Sequence, residues 1–402
     1  MHIVQGLIDL IKGKKSKKYS FAVIDDQFPT IGFSGFRQAE INNFLEKIPN
    51  SCAYSMRKMM PEEKAWFHHP YGIKKKEYSK KISKYLERYP QNKGRVKFLP
   101  RFLSNKLVYC YFLAVTYTLL PYLNKNKLPF VFVLYPGGGF GLNNNSSDEM
   151  LKEIFKSPYF RKVIVTQPVT RKYLLDKNLC KEENIIYEFG GYSQFSVSEI
   201  KGDKSYFPND KETIDICFTA FKYSEKGIDK GYDLFIDVAK RIVKKYANVN
   251  FHVIGNFDSN DIDVTELKDR INFYGILDKE KLIELYSKID ICMSPSRPFK
   301  LYEGNFDGFP LGFEAMFFKI LLMPTDELNN NECFNDDEIV VIKPDVDDIC
   351  NKLENLLENP EKMYSIANNG YKKCCAILEP SERIKNITSC LQKELNLLNG
   401  ED

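Results

Sequence analysis

The chain is poor in the residues that build metal and disulfide sites. It has four histidines, one tryptophan, and ten cysteines with no CxxC pair among them. Structural zinc draws on Cys and His at short spacing. Here only Cys374-Cys375 are adjacent, and the neighbouring His68-His69 complete no HxxxH. No metal site is expected, and scattered thiols fit a reducing, cytoplasmic setting. Membrane-spanning runs are also missing. The apolar stretch Leu107–Leu123 has 17 uncharged residues, contains Pro121 and leads straight into a strand signal. It is short for a span and reads as a buried core helix. The opening residues 1–11 are interrupted by Asp9 and carry no small-residue cleavage site, so no secretory signal is expected.

What is present describes a globular α/β protein. Hydrophobic residues make up 43% and mean hydropathy is −0.37. At 402 residues the chain has room for two domains, each with its own core. Charge divides them. Residues 1–130 hold 24 Lys and Arg against 9 Asp and Glu, a net of +15, and the remainder carries −11. A basic first half suits an anionic partner: a membrane surface, a lipid diphosphate or nucleic acid. The run Lys12–Lys18 follows an apolar segment, a pattern compatible with a peripheral contact on an anionic membrane. No nucleic-acid motif accompanies it, and nucleic acid is not expected as a partner.

Apolar runs of strand length alternate with helical periodicity, which predicts mostly parallel sheets. A first strand ends at Asp25-Asp26, and a loop with Gly32 and Gly35 leads into a helix where Arg37 would add a cation to an amide-rich pocket. The strand Pro129–Leu134 is followed by Tyr135 and by Gly137, Gly138 and Gly139, which read as cleft lining because glycine lets backbone approach a ligand closely. Residues 50–105 read as helices and loops. Polar residues 198–212 read as an interdomain linker.

The segment from Asp290 to Thr325 carries the most information. It reads as strand, long loop, helix and strand, with Ser294-Pro295-Ser296 after the first strand. Asp307-Gly308-Phe309-Pro310 then precedes Glu314-Ala315-Met316. Two carboxylates beside a helix N-terminus offer acceptors for sugar hydroxyls and amides for phosphates, the needs of a nucleotide-sugar donor. The segment resembles the donor-site signature of retaining, nucleotide-sugar-dependent glycosyltransferases of the GT-B fold, family 4. It departs from that signature in three ways. The first acid is Asp, it stands seven residues before Glu314 rather than eight, and ten residues separate Ser296 from Asp307. The inserted residues include Glu303, so the sugar-facing acid is Asp307, the favoured one, or Glu303.

The resemblance implies two Rossmann-like domains whose parallel sheets face a central cleft. Residues 1–200 would form the acceptor domain and 201–380 the donor domain, with a helix over 381–402 crossing back to the first. It implies transfer of a sugar from a nucleotide-diphosphate donor to a hydroxyl of a glycan or lipid-linked acceptor, with retention and without metal or other cofactor. Bacterial surface polysaccharide is the expected setting. Glu314 would bind the ribose, while Asp307 and the Gly308–Pro310 backbone would hold the sugar. Lys230, in Lys230-Gly231, and Lys222 would face the diphosphate. Gly275 and Leu277 would line the nucleotide pocket beside Ser294. Where this family commonly has a His that contacts the sugar, this chain has Tyr135 or the loop that follows it. Two other classes remain: a GT-B epimerase or phosphorylase, and a non-catalytic GT-B module that binds a glycan or partner.

Overall fold

The computed structural model describes residues 19–31, 34–60, 70–200, 203–298, 307–308 and 312–400. Buried runs of β-branched and aromatic residues become parallel strands, as expected where helices cover both faces of a sheet. The first domain runs β1 Phe21–Asp25, α1 Gly35–Lys47, β2 Ser51–Ser55, α2 Lys75–Arg88, β3 Val96–Phe98, β4 Leu107–Tyr111 and α3 Leu113–Lys125. It continues with β5 Phe130–Leu134, α4 Asn145–Phe155, β6 Phe160–Val165, α5 Pro168–Asp176 and β7 Ile185–Tyr187. Its sheet has the order β3-β2-β1-β4-β5-β6-β7, parallel throughout.

The second domain runs β8 Ile214–Thr219, α6 Tyr232–Ile242, β9 Val249–Ile254, β10 Ile271–Phe273, α7 Lys279–Tyr286, β11 Ile291–Ser294 and β12 Leu321–Pro324. Helices α8 Val346–Leu357, α9 Pro360–Leu378 and α10 Pro380–Asn399 close the chain. The sheet order is β10-β9-β8-β11-β12, again parallel. This is the two-sheet α/β architecture expected of a GT-B protein.

Each sheet carries two cores. On the first, Phe130 and Phe132 meet Leu119, Met150 and Ile154, while Val131 and Val133 meet Ile41, Phe44, Ile384 and Leu391 from the opposite face. Helix α10 therefore belongs to the first domain's core. Its Arg383 Nη1 donates to Glu188 O at 2.9 Å, and its Glu394 pairs with Arg161 at 3.0 Å.

Two expectations are corrected. Leu107–Leu123 is not one helix: its first five residues are the central strand β4, and Phe112 at φ 58° turns the chain into α3. Residues 50–105 contain two strands, β2 and β3, as well as α2. Strand β2, Ser-Cys-Ala-Tyr-Ser, has no β-branched residue to announce it. No helix among the described residues is long and apolar enough to cross a membrane.

Candidate active site

In an open parallel sheet, ligands bind beyond the carboxyl ends of the strands where the strand order reverses. In the second sheet that point lies between β8 and β11. The loops leaving these two strands touch. A Cβ placed on Gly231 would stand 2.0 Å from Pro295 O, and Gly231 has φ 73°, so both the close approach and the left-handed backbone require glycine. Arg297 fastens the contact. Its backbone N–H donates to Asp229 O at 2.9 Å, its Nε to Ile228 O at 3.0 Å, and its Nη2 to both Asp233 oxygens at 2.5 and 2.6 Å. Sequence reasoning did not select Arg297. Its signal was an arginine three residues beyond the strand on the switch-point loop.

Lys230 lies within this junction. It is buried, its Nζ is 3.8 Å from Asp229 Oδ2, and it stands 5.4 Å from the centre of the Tyr223 ring. Asp229 in turn accepts from Ser224 Oγ. Lys222 is placed differently. Its Nζ donates to Asp261 Oδ1 at 2.6 Å and lies 5.9 Å from the Phe257 ring centre. Lys222 was expected to join Lys230 on a diphosphate. In the described structure its ammonium is held by a carboxylate of the loop after β9.

The acidic segment closes the same end of β11. Gly308 N donates to Asp307 Oδ1 at 2.9 Å and to Thr325 Oγ1 at 3.1 Å, and Gly308 O accepts from Ser294 Oγ at 2.9 Å. A Cβ on Gly308 would stand 2.0 Å from Ser294 O and 2.5 Å from Thr325 N, so only glycine fits. Thr325 Oγ1 also donates to Ser296 O at 2.6 Å, tying β12 to the loop. Ser294 thus braces the Gly308 turn from within.

Asp307 is fully buried. Beyond Gly308, it accepts from Leu328 N at 2.9 Å and Glu327 N at 3.3 Å. Burial pushes its carboxyl up to about 6, against the pull of these amides. Where a carboxylate facing a sugar was expected, the oxygens of Asp307 hold the backbone of two loops. Glu303, Phe309 and Pro310 lie outside the described residues.

Glu314 stands on a 3-10 helix, Phe313–Phe318, in the stretch expected to be helical. Its Oε1 accepts from Gln194 N at 2.8 Å, and Gln194 Nε2 is 3.5 Å from Oε2. Burial raises its pKa, opposed chiefly by the Gln194 N–H. Gln194 also lies against the first domain, because a Cβ on Gly35 would meet its Oε1 at 2.3 Å. One residue of the crossover between domains thus joins Gly35, expected in the cleft, to Glu314, expected at the donor. Gln194 left no trace in the sequence beyond following Gly190-Gly191.

The other residues expected in the cleft divide. Arg37 is buried, with Nη1 at 2.8 Å from both Asp25 Oδ2 and Asp26 Oδ1, Nε bonded to Ser34 Oγ, and its guanidinium 5.2 Å from the Phe112 ring centre. Burial works against its charge, but the two aspartates hold its pKa above the ordinary value. The cation expected in an amide-rich pocket is thus engaged by two carboxylates of its own fold. Tyr135, expected in the cleft, is buried, donates to Glu40 Oε1 at 3.3 Å and packs edge-on to Phe36. Gly137, Gly138 and Gly139 all have positive φ, and the Gly138 carbonyl accepts from Ala114 N at the start of α3. A Cβ on Gly138 would meet Phe112 at 2.4 Å. These glycines build a turn that caps a helix, though Gly138 itself remains exposed.

At the end of β10, Gly275 has φ 64° and open space where a Cβ would be, and its carbonyl accepts from Gly255 N at 2.9 Å. Leu277 packs partly into the core while Ile276 between them is exposed. A groove of 430 Å³ lies between Pro168, Arg171 and Lys172 of the first domain and Leu328, Asn329 and Glu332 of the second. It adjoins the loop that Asp307 holds, and its size suits a small ligand.

Residues 218–373 match the family described as glycosyl transferases group 1. No curated protein sequence matches the chain. Among solved structures, HepE of Anabaena in complex with UDP and glucose aligns with a TM-score of 0.65 at 12% identity, covering 93% of this chain and 100% of that one. Sucrose-phosphate synthase of Thermosynechococcus elongatus aligns at 0.62 and 13% identity, covering 94% and 99%. TarM of S. aureus, in complex with fondaparinux, alpha-GlcNAc-glycerol and UDP, aligns at 0.53 and 17%, covering 72% and 55%. These likenesses give the chain the GT-B fold, and its residues 218–373 are similar to the group 1 glycosyltransferases.

Proposed function

We propose that this chain moves a sugar from a nucleoside diphosphate to a hydroxyl acceptor, with retention and without a metal. The carrying observation is the junction at the β8/β11 switch point. There Gly231 meets Pro295, Arg297 locks the loops together, and Lys230 is buried beside the N-terminus of α6. A fixed cation at a helix N-terminus stabilises negative charge that grows on a leaving diphosphate. Glu314 is assigned to the ribose hydroxyls. A carboxylate has about four lone-pair sites, and Gln194 occupies one at full strength. Asp307 and Ser294 are assigned to shaping the Gly308 turn that the sugar would meet. The diphosphate oxygen would take the acceptor proton on the same face, and the acceptor would approach through the interdomain groove. A glycan or lipid-linked saccharide of a cell-surface polysaccharide is the proposed acceptor class. The basic first domain and the family support it.

The test is thermal stability of the purified protein with UDP, GDP, ADP, dTDP and CMP, each with and without magnesium. UDP is the first choice because HepE and TarM were solved with it. A ligand at 100 times its Kd adds about 2.7 kcal/mol, roughly 5–10 °C for a domain of this size. No shift with any nucleotide would remove the donor assignment, and a shift only with magnesium would remove metal independence. A second reading has specific support. Asp307, Lys222 and Arg37 are all engaged by protein groups, as in a binding module without turnover. Nucleotide binding without hydrolysis or transfer would favour it.

A further inference from the structure

The basic run Lys12–Lys18 lies outside the described residues. Within them, Lys230 sets a condition on the donor site proposed above. Its side chain is only 3% exposed, although it stands on a loop at the end of the sheet where ligands enter. A diphosphate oxygen must come within about 2.9 Å of the ammonium to make a charge-assisted hydrogen bond. Burial at this level leaves no path for it, so a neighbouring group has to move.

Tyr223 has the place and the freedom to do so. Its ring centre lies 5.4 Å from Lys230 Nζ, within reach of a cation–π contact, while the residue itself is 63% exposed. A buried cation is thus paired with an exposed ring. The Asp229 carboxylate stands 3.8 Å from the ammonium and also accepts from Ser224 Oγ, so it compensates the buried charge incompletely. The electron-rich face of the ring supplies part of the difference.

The backbone on either side of Tyr223 is fixed. Lys222 N donates to Asn256 Oδ1 at 2.7 Å, and Ser224 O accepts from Gly227 N at 3.1 Å. Movement is therefore left to the side chain. Rotation about χ1 carries the ring off Lys230 and gives up little buried area, because most of its surface is already in water. Phe221 lies 5.2 Å away between ring centres and, being 46% exposed itself, restrains the ring only loosely.

We propose that Tyr223 is a positioning residue that covers Lys230 until the diphosphate of the donor takes its place. The ring holds the ammonium where leaving-group charge will grow, and a binding diphosphate has to displace it first, which lowers the apparent affinity. The proposal rests on the assignment of Lys230 to the diphosphate, and its test keeps the two apart. The test is brief acetylation of the full chain by acetic anhydride, read lysine by lysine by mass spectrometry, in the wild type, Tyr223→Ala and Tyr223→Phe. Lys230 should label severalfold faster in Tyr223→Ala, with the exposed Lys244 unchanged as internal reference. Tyr223→Phe keeps a ring and should label as the wild type does. Calorimetric titration with UDP should show affinity raised about two- to fivefold in Tyr223→Ala, the worth of a partly exposed cation–π contact. Melting temperatures should agree, since an exposed ring contributes little to the core. The proposal is overturned if Lys230 labels at the wild-type rate in Tyr223→Ala. It also falls if that variant binds UDP more weakly, which would make the ring a ligand contact instead of a cover. Failure of the donor assignment has a different mark: UDP would neither bind nor slow the labelling of Lys230, while loss of the ring would still speed it.

Discussion

Gly308→Ala is the sharpest test of how the acidic segment is built. The new methyl would begin 2.0 Å from Ser294 O and 2.5 Å from Thr325 N, both backbone atoms within a sheet end. A shift of at least about 1 Å is needed to reach tolerable contact, because well-packed interiors leave no room to absorb it. That shift strains four hydrogen bonds: Gly308 N to Asp307 and Thr325, Ser294 Oγ to Gly308 O, and Thr325 N to Ser294 O. Losing three of them at about 1 kcal/mol each gives about 3 kcal/mol. For a domain of this size that is roughly 6–12 °C in Tm. Gly275→Ala is the matched control, since Gly275 has open space around it and only φ 64° to argue for glycine. Its cost should be about 1–2 kcal/mol. Scanning calorimetry of both variants, without and with the nucleotide that stabilises the wild type, separates the two causes. If Gly308→Ala melts within 2 °C of the wild type (well under the ~6 °C floor), or no lower than Gly275→Ala, the close-approach argument fails.

Three further outcomes follow from the same geometry. Glu314→Ala should weaken nucleotide binding at least about tenfold, and Lys230→Ala should lower kcat more than affinity, because leaving-group charge develops in the transition state. Titration calorimetry and initial rates separate the two, and wild-type behaviour in both would remove the site. Burial pushes the Glu40 carboxyl up to about 7 from an ordinary 4.5. The folded state therefore holds a proton that the unfolded chain releases between these values. Stability falls as pH rises through that window. Glu40→Gln should melt higher than the wild type at pH 8, by up to about 3 kcal/mol, and show no gain at pH 4. An equal difference at both values would contradict the assignment. Arg297→Lys keeps the charge but not the fork that spans Ile228 O and both Asp233 oxygens. A loss of about 1–2 kcal/mol is expected in chemical denaturation, together with weaker nucleotide binding if this clamp fixes the Lys230 loop.

The fold was legible because its strands are buried on both faces and therefore appear as short apolar runs. Ile214–Phe218 and Asp290–Met293 are such runs but for one Asp in each, and both fall on strands. Strand β2 escaped because its burial rests on Ser, Cys and Ala packed under helices that only tertiary structure supplies. The site was legible by position and less so by role. Lys230, Gly231, Ser294, Asp307 and Gly308 do gather at one sheet end, as strand-loop-helix logic predicts. Spacing does not tell whether a charged side chain faces a ligand or its own fold. Asp307 turned to three backbone amides, Lys222 to Asp261, and Arg37 to Asp25 and Asp26, because each had a partner distant in sequence. Gln194 and Arg297 were missed for the same reason. Their importance lies in what they touch across 120 and 64 residues of chain.

Glu314 shows what this self-engagement means for a donor site. A buried carboxylate with no partner would be costly to ionise, and a site waiting for ribose hydroxyls would carry that cost whenever empty. The backbone N–H of Gln194 reduces it, since a main-chain donor at 2.8 Å favours the charged form and fixes the carboxylate's plane. The second contact, at 3.5 Å from Gln194 Nε2, is at the limit of a hydrogen bond, and the Ser193 hydroxyl also supports the charge. On the proposed assignment, the arrangement prepares an acceptor for ribose hydroxyls. Because Gln194 lies on the crossover and presses against Gly35 at the head of α1, the same contact makes the donor carboxylate sensitive to the relative position of the two domains. A movement that withdrew Gln194 from Glu314 would raise the cost of its charge. On the proposed assignment, donor binding and domain approach would favour one another through this amide.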